Sequence, residues 1–203
     1  MTMEKIDLYN QLKSDYKAAA EPALIETTPG QYLSIEGQGA PGGQAMIDCI
    51  GALYSMAFTI KMTRKAAGQG DYVICKLETL WCTPDGGDDP SKFPQEQWCW
   101  TLLIRTPDCV TQHDLDAAAK VLLDKGKCEP VNRVQLKVLN EGKCVQILHV
   151  GPYDQVCEAI EKMQALAEEN GLAFTGKHHE IYLSDPRRVD PEKLKTIVRR
   201  PVA

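Results

Sequence analysis

The stretch His178-His179-Glu180-Ile181-Tyr182-Leu183-Ser184-Asp185-Pro186 sets a carboxylate, a phenol and two imidazoles inside what otherwise reads as a half-buried strand. Side chains two apart in a strand share a face, so His178, Glu180 and Tyr182 point one way and His179, Ile181 and Leu183 the other. A carboxylate in a low-polarity pocket has a raised pKa and suits general acid or base work, with the neighbouring phenol as a hydrogen-bond donor. A metal centre is a competing reading of His-His-Glu. Alternation weakens it, because only His178 and Glu180 can reach one ion and a third ligand must come from elsewhere. The plain alternative is a glutamate on a solvated sheet face.

Other groups of the same kind lie upstream. Lys76, Glu78 and Leu80 share a face in a second strand, and Trp81, Trp98 and Trp100 are the only tryptophans of the chain. Trp98 and Trp100 lie on one face, which fits a cavity wall or plain core packing. Aromatic rings around a carboxylate form a site for cationic or flat aromatic ligands. His149, in ILHVGPYD, reads as a satisfied strand-end histidine. The GQGAPGG segment lacks the lysine and spacing of a phosphate loop, and no local motif signals a Ser-His-Asp or Cys-His arrangement. No cofactor is implied.

These residues are carried by a duplicated unit. Gly30 and Gly39 are spaced like Gly142 and Gly151, with the alternating strands QYLSIEGQ and KCVQILHV between them. A helix follows each. The first has Met46, Ile50, Leu53, Ala57 and Ile60 on one face and should stop near Ala67, before Gly68. The second has Val156, Ile160, Met163 and Ala167 as its stripe, Pro152 as an early residue and Asn170-Gly171 as its stop. Next come LETLWCTP and HEIYLSDP, which superpose without a gap and put Glu78 over Glu180. The last strands end Arg105-Thr106-Pro107 and Arg199-Arg200-Pro201. ALIETT and RVQLKVLN are expected to complete the sheet of the half each precedes. A pseudo-twofold axis would then bring both glutamates to one groove between abutting sheets.

The segment VTQHDLDAAAKVLLDKG reads as a connecting helix with Thr111 as N-cap and Asp114 in its first turn. DGGDDPSKFPQEQ reads as a surface insertion, and residues 4–19 as a short N-terminal helix. The expected fold class is α+β: one domain over 1–203 with an N-terminal segment (1–21), a first strand-helix-strand-strand module (22–108), a connecting helix (109–130) and a second module (131–203), with antiparallel sheets around a central ligand groove.

Composition sets the outer bounds. With 203 residues, 43% hydrophobic and 25% charged, the chain is an ordinary globular one with material for one large core. A net charge of −5 and the lack of basic runs make nucleic acid a poor partner. The polar start and the absence of about 18 uninterrupted apolar residues point to a cytoplasmic protein with no membrane partner. Eight cysteines, none spaced C-x-x-C and most among apolar neighbours, read as reduced structural thiols.

The motifs LETLW, WCWTLLIRTPD, ILHVGPYD and above all HHEIYLSDPRRVDPEKLKTIVRRPV resemble the GyrI-like small-molecule-binding family, in its branch without a DNA-binding domain. The likeness spans most of residues 22–203. It implies tandem modules around a ligand groove, with the position of Glu180 matching a glutamate that meets cationic, lipophilic compounds in an aromatic pocket. Some members resemble hydrolases that open the cyclopropane ring of DNA-alkylating natural products. By that resemblance Glu180 and Tyr182 are the catalytic pair, and Glu78, Trp81, Trp98 and Trp100 line the cage. The partner expected is an aromatic or cationic xenobiotic. Hydrolase and non-catalytic drug-sequestering protein both stand, with a gyrase-inhibitor-like partner-binding module as a third reading.

Overall fold

The computed structural model describes residues 5–87, 92–126 and 129–203. Eight strands form one antiparallel sheet: β1 (Ala23–Glu26), β2 (Gly30–Gln38), β3 (Leu77–Cys82), β4 (Cys99–Thr106), β5 (Gln135–Leu139), β6 (Lys143–Val150), β7 (His178–Tyr182) and β8 (Lys195–Pro201). Their order is β1-β6-β8-β7-β3-β4-β2-β5, so the two halves of the chain meet where β3 pairs with β7. Among the described residues, five α-helices accompany the sheet: α1 (Leu8–Gln11), α2 (Lys13–Tyr16), α3 (Gln44–Ala66), α4 (Gln112–Asp124) and α5 (Cys157–Glu169).

The periodicities that set the helix ends act as expected. α3 is capped by Ala67 with Gly68 at φ 69° beyond it. Thr111 and Asp114 form a reciprocal capping box at the start of α4. α5 ends at Asn170-Gly171, with Gly171 at φ 67°. Its start differs from expectation: Pro152 is extended, a single 3-10 turn covers Tyr153–Gln155, and the α-helix begins at Cys157. The N-terminal segment is two one-turn helices rather than one. Residues 88–91 of the surface insertion, and Cys128 among the cysteines, lie outside the described residues.

Both modules place their helices on one face of the sheet. Leu53, Met56 and Ile60 of α3 pack with Leu33, Ile35 and Leu102, while Ala159, Met163 and Ala167 of α5 pack with Val145, Ile147 and Val198. α3 is long and apolar enough by length and composition to cross a bilayer. Here its inner face is core.

The edge strands correct the sequence reading. β1 pairs with β6 of the second half, and β5 pairs with β2 of the first, so each preceding strand completes the sheet of the other module. The short links that follow them explain the shape. Only residues 27–29 join β1 to β2, a reach of about 15 Å at most, whereas six flat strand spacings would separate those strands by about 29 Å. The sheet therefore curls, and it curls away from the helices.

At the β2 and β4 pairing, Gly37 stands opposite Trp100. A Cβ on Gly37 would come within 2.1 Å of the Trp100 ring, which is 1% exposed, so the ring would have to shift. Gly37→Ala is expected to cost about 1–3 kcal/mol by overpacking, read as a lower denaturant midpoint at unchanged slope.

Candidate functional site

Glu180 lies on the helix-covered face of β7, in the central strand pair between α3 and α5, and is 8% exposed. Its cross-strand partners are Thr79 and Val198. His178 Nε2 lies 3.0 Å from one carboxylate oxygen, and the Tyr182 hydroxyl donates to the other at 2.8 Å. The expected alternation thus brings His178, Glu180 and Tyr182 together. The Tyr153 ring, at the 3-10 turn before α5, meets Tyr182 edge to face at 5.5 Å and is 38% exposed. Either side of β7, the buried hydroxyls of Thr79 and Thr196 share this face; that of Thr79 stands near Tyr182, and neither makes a hydrogen bond of acceptable geometry.

Burial would raise the Glu180 pKa, but hydrogen bonding and charge from His178 and the hydrogen bond from Tyr182, with the Trp81 indole close by, hold it below the usual carboxylate value. This reverses the raised pKa expected from a low-polarity pocket. The His178 and Tyr182 contacts to the carboxylate outweigh its desolvation. Burial and the Glu180 charge push Tyr182 well above the ordinary phenol value, so it remains a proton donor.

Glu78 is elsewhere. It pairs with Ile181, one position out of step with Glu180, and therefore projects from the opposite face of the sheet. There it is fully buried, accepting from the Tyr16 hydroxyl at 2.7 Å and facing His179 Nε2 at 3.0 Å. His179 Nδ1 faces Glu141 at 2.9 Å, and Arg199 reaches the same Glu141 oxygen at 3.3 Å. Arg105 and Asp15 form a second buried pair at 2.7 Å. This polar layer straps the N-terminal segment across the face that carries no long helix. The gapless overlay of LETLWCTP on HEIYLSDP therefore equates glutamates on opposite faces, whereas Thr79, not Glu78, stands opposite Glu180 across the strand pair.

The three tryptophans separate as well. Trp81 is on the Glu180 face, with its indole beside the carboxylate. Trp98 packs edge-on against Trp81 at 5.7 Å, with its indole N–H donating to the Phe93 carbonyl. Trp100 belongs to the core beneath α3, over Gly37. Sequence reasoning missed Tyr153, Thr79 and Thr196; nothing in GPYD marks Tyr153 as a site residue, and the threonines are found only from the register. His149 bonds the Pro152 carbonyl at 2.8 Å, a satisfied strand-end histidine as expected. Among the described residues, no three His, Cys, Asp or Glu side chains are grouped to hold a metal ion. Two open cavities, of about 200 and 350 Å³, lie at the far end of β2 and β4, away from Glu180.

A single sheet with helices on one face, and a buried carboxylate ringed by Trp81, Tyr153 and Tyr182 between them, defines a small-molecule-binding domain. The model of the GyrI-like small molecule binding domain matches residues 21–203, and the chain belongs to that family. A conserved protein from Listeria innocua is 37% identical with a TM-score of 0.90, covering 98% of this chain and 100% of its own. A hydrolase from Listeria innocua is 36% identical with a TM-score of 0.87 over the same shares. The EcmrR C-terminal domain, 15% identical with a TM-score of 0.60, covers 90% of this chain and 97% of its own and shares the fold. No curated protein matches the chain.

Proposed function

We propose that the protein binds aromatic or cationic lipophilic molecules at Glu180 and hydrolyses those that carry a strained cyclopropane ring. The observation that carries this reading is the buried Glu180 carboxylate, gripped by Tyr182 and His178, with Trp81 and the buried hydroxyls of Thr79 and Thr196 on the same face. A cation or an attacking water would be fixed there at low dielectric, with aromatic walls holding a flat substrate. A full-length relative 36% identical is a hydrolase, which supports the catalytic half.

In the reaction, water attacks a ring carbon of a cyclopropane conjugated to a carbonyl. The ring C–C bond breaks and its electron pair passes to the carbonyl oxygen. Glu180 orients the water and takes its proton, while the Tyr182 hydroxyl turns from Glu180 to the developing oxyanion. The cluster is packed and Tyr153 is the exposed ring beside it, so substrate enters by displacing Tyr153. Mass spectrometry of a cyclopropane-bearing alkylator incubated with the protein should show a water adduct above the uncatalysed background; its absence removes the enzymatic role.

A non-catalytic sequestering protein is the second reading, favoured by the depressed pKa of Glu180, which suits a fixed negative charge better than a proton acceptor. It predicts ligand recovered intact, with tryptophan fluorescence quenched on binding through Trp81.

A further inference from the structure

Cys82 ends β3, Cys99 begins β4, and the two are direct cross-strand partners. Opposed residues in an antiparallel pair have Cα atoms about 4.5–5.5 Å apart, inside the roughly 4.4–6.8 Å a disulfide spans without moving the backbone. Their neighbours Trp81 and Trp100 point to the helix-covered face, so both thiols point to the other. The Cys99 thiol donates to the Gln97 carbonyl at 3.8 Å. That face is open at this point: a cavity of about 350 Å³ is lined by both cysteines with Glu36, Gln38, Thr101 and Lys177. Among the described residues no other two cysteines are matched across the sheet; Cys49, Cys75 and Cys144 are buried, and Cys109 and Cys157 are exposed.

We infer that Cys82 and Cys99 are a dithiol site oxidised by low-molecular-weight disulfides, forming a reversible cross-strand disulfide beneath the Trp81 and Trp98 pair. Cys99 is the more exposed thiol and attacks first. Its thiolate takes one sulfur of the small disulfide and expels the other as a thiolate. The Cys82 thiolate then attacks the Cys99 sulfur and expels the second small thiolate. The two protons released by the cysteines go to the two leaving thiolates, so one disulfide is reduced to two thiols as the protein pair is oxidised. Burial and the neighbouring Cys82 raise the Cys99 thiol above its ordinary value, and Lys177, which lines the same cavity, offsets part of that rise while attracting carboxylate-bearing disulfides such as oxidised glutathione. The site lies on the opposite face from Glu180 and does not depend on the reading given for that residue.

The test is treatment of the native, full-length protein with oxidised glutathione, alkylation of the remaining thiols, and peptide mapping by mass spectrometry. The expected result is a Cys82–Cys99 linked peptide pair lacking two hydrogens, with a fall in tryptophan fluorescence that dithiothreitol reverses. Cys82→Ser should instead retain one glutathionyl group on Cys99, and Cys99→Ser should leave Cys82 unmodified. Recovery of Cys82 and Cys99 as free thiols under conditions that glutathionylate Cys157 would overturn the inference. So would wild-type protein that keeps glutathione on Cys99 without forming the cross-link.

Discussion

Glu180→Gln should lower the hydrolysis of a cyclopropane-bearing alkylator by about 10²–10⁴-fold, the range for removal of a positioned general base. The substitution keeps the shape of the side chain: the amide oxygen can accept from one of Tyr182 and His178, and the amide nitrogen can donate to the phenol oxygen or the unprotonated imidazole nitrogen of the other, so the fold should survive. What disappears is the charge. Because the pKa of Glu180 is held below the ordinary carboxylate value, wild-type activity should stay flat from neutral pH down to the usual carboxylate range and fall only below it. A rate profile that instead rises through pH 6–7 would mean that a different group takes the proton. The matched control is Glu78→Gln, which alters a carboxylate of the same type on the far face. If Glu78→Gln impairs turnover of the folded protein as much as Glu180→Gln does, the assignment to one face fails.

That control exists because the structure separates two glutamates that the sequence makes look equivalent. Local rules were legible: the stops of α3 and α5, the Thr111 and Asp114 capping box, and the alternation that joins His178, Glu180 and Tyr182 all rest on neighbours within a few residues. Pairings between distant strands were not. Whether Glu78 or Thr79 faces Glu180 depends on a single-residue register between segments about a hundred positions apart, and nothing local to LETLW encodes it. The exchange of β1 and β5 between modules is hidden for the same reason, since either partner satisfies an alternating edge strand. The sign of the Glu180 shift is not legible in the sequence, because nearby aromatics suggest a low-polarity pocket, whereas His178 and Tyr182 meet the carboxylate only in the folded strand. The charged layer around His179 had no signal beyond scattered Asp, Glu and Arg residues, which in a sequence look like surface.

His179 gives that layer a measurable signature. Both of its ring nitrogens face carboxylate oxygens, Glu78 at 3.0 Å and Glu141 at 2.9 Å, so both must carry hydrogen and the buried ring is an imidazolium. Burial alone would lower its pKa, but Glu141 and Glu78 raise it to about 9. Glu141 is shifted the other way: burial would raise it, and His179 with Arg199 holds it at about 2. The folded state therefore binds a proton at His179 that the unfolded chain releases near its ordinary value of about 6.5. This stabilisation is complete below about pH 6.5, declines as pH rises, and is lost above about 9. The Glu141 contribution is present above about pH 4.5 and is lost as pH falls towards 2. Denaturant unfolding should thus show greatest stability near pH 5–6.5 and a loss on the order of 3 kcal/mol by pH 9. His179→Ala should cost about 3–5 kcal/mol at pH 6, because it leaves two buried carboxylates facing each other without their shared cation. It should also flatten the alkaline limb, and a variant that keeps the full wild-type decline between pH 6.5 and 9 would show that another group titrates there. Since the layer ties residues 14–17 to Gln146, Arg199 and Glu78, the N-terminal segment should become protease-sensitive over that same pH range in the wild type.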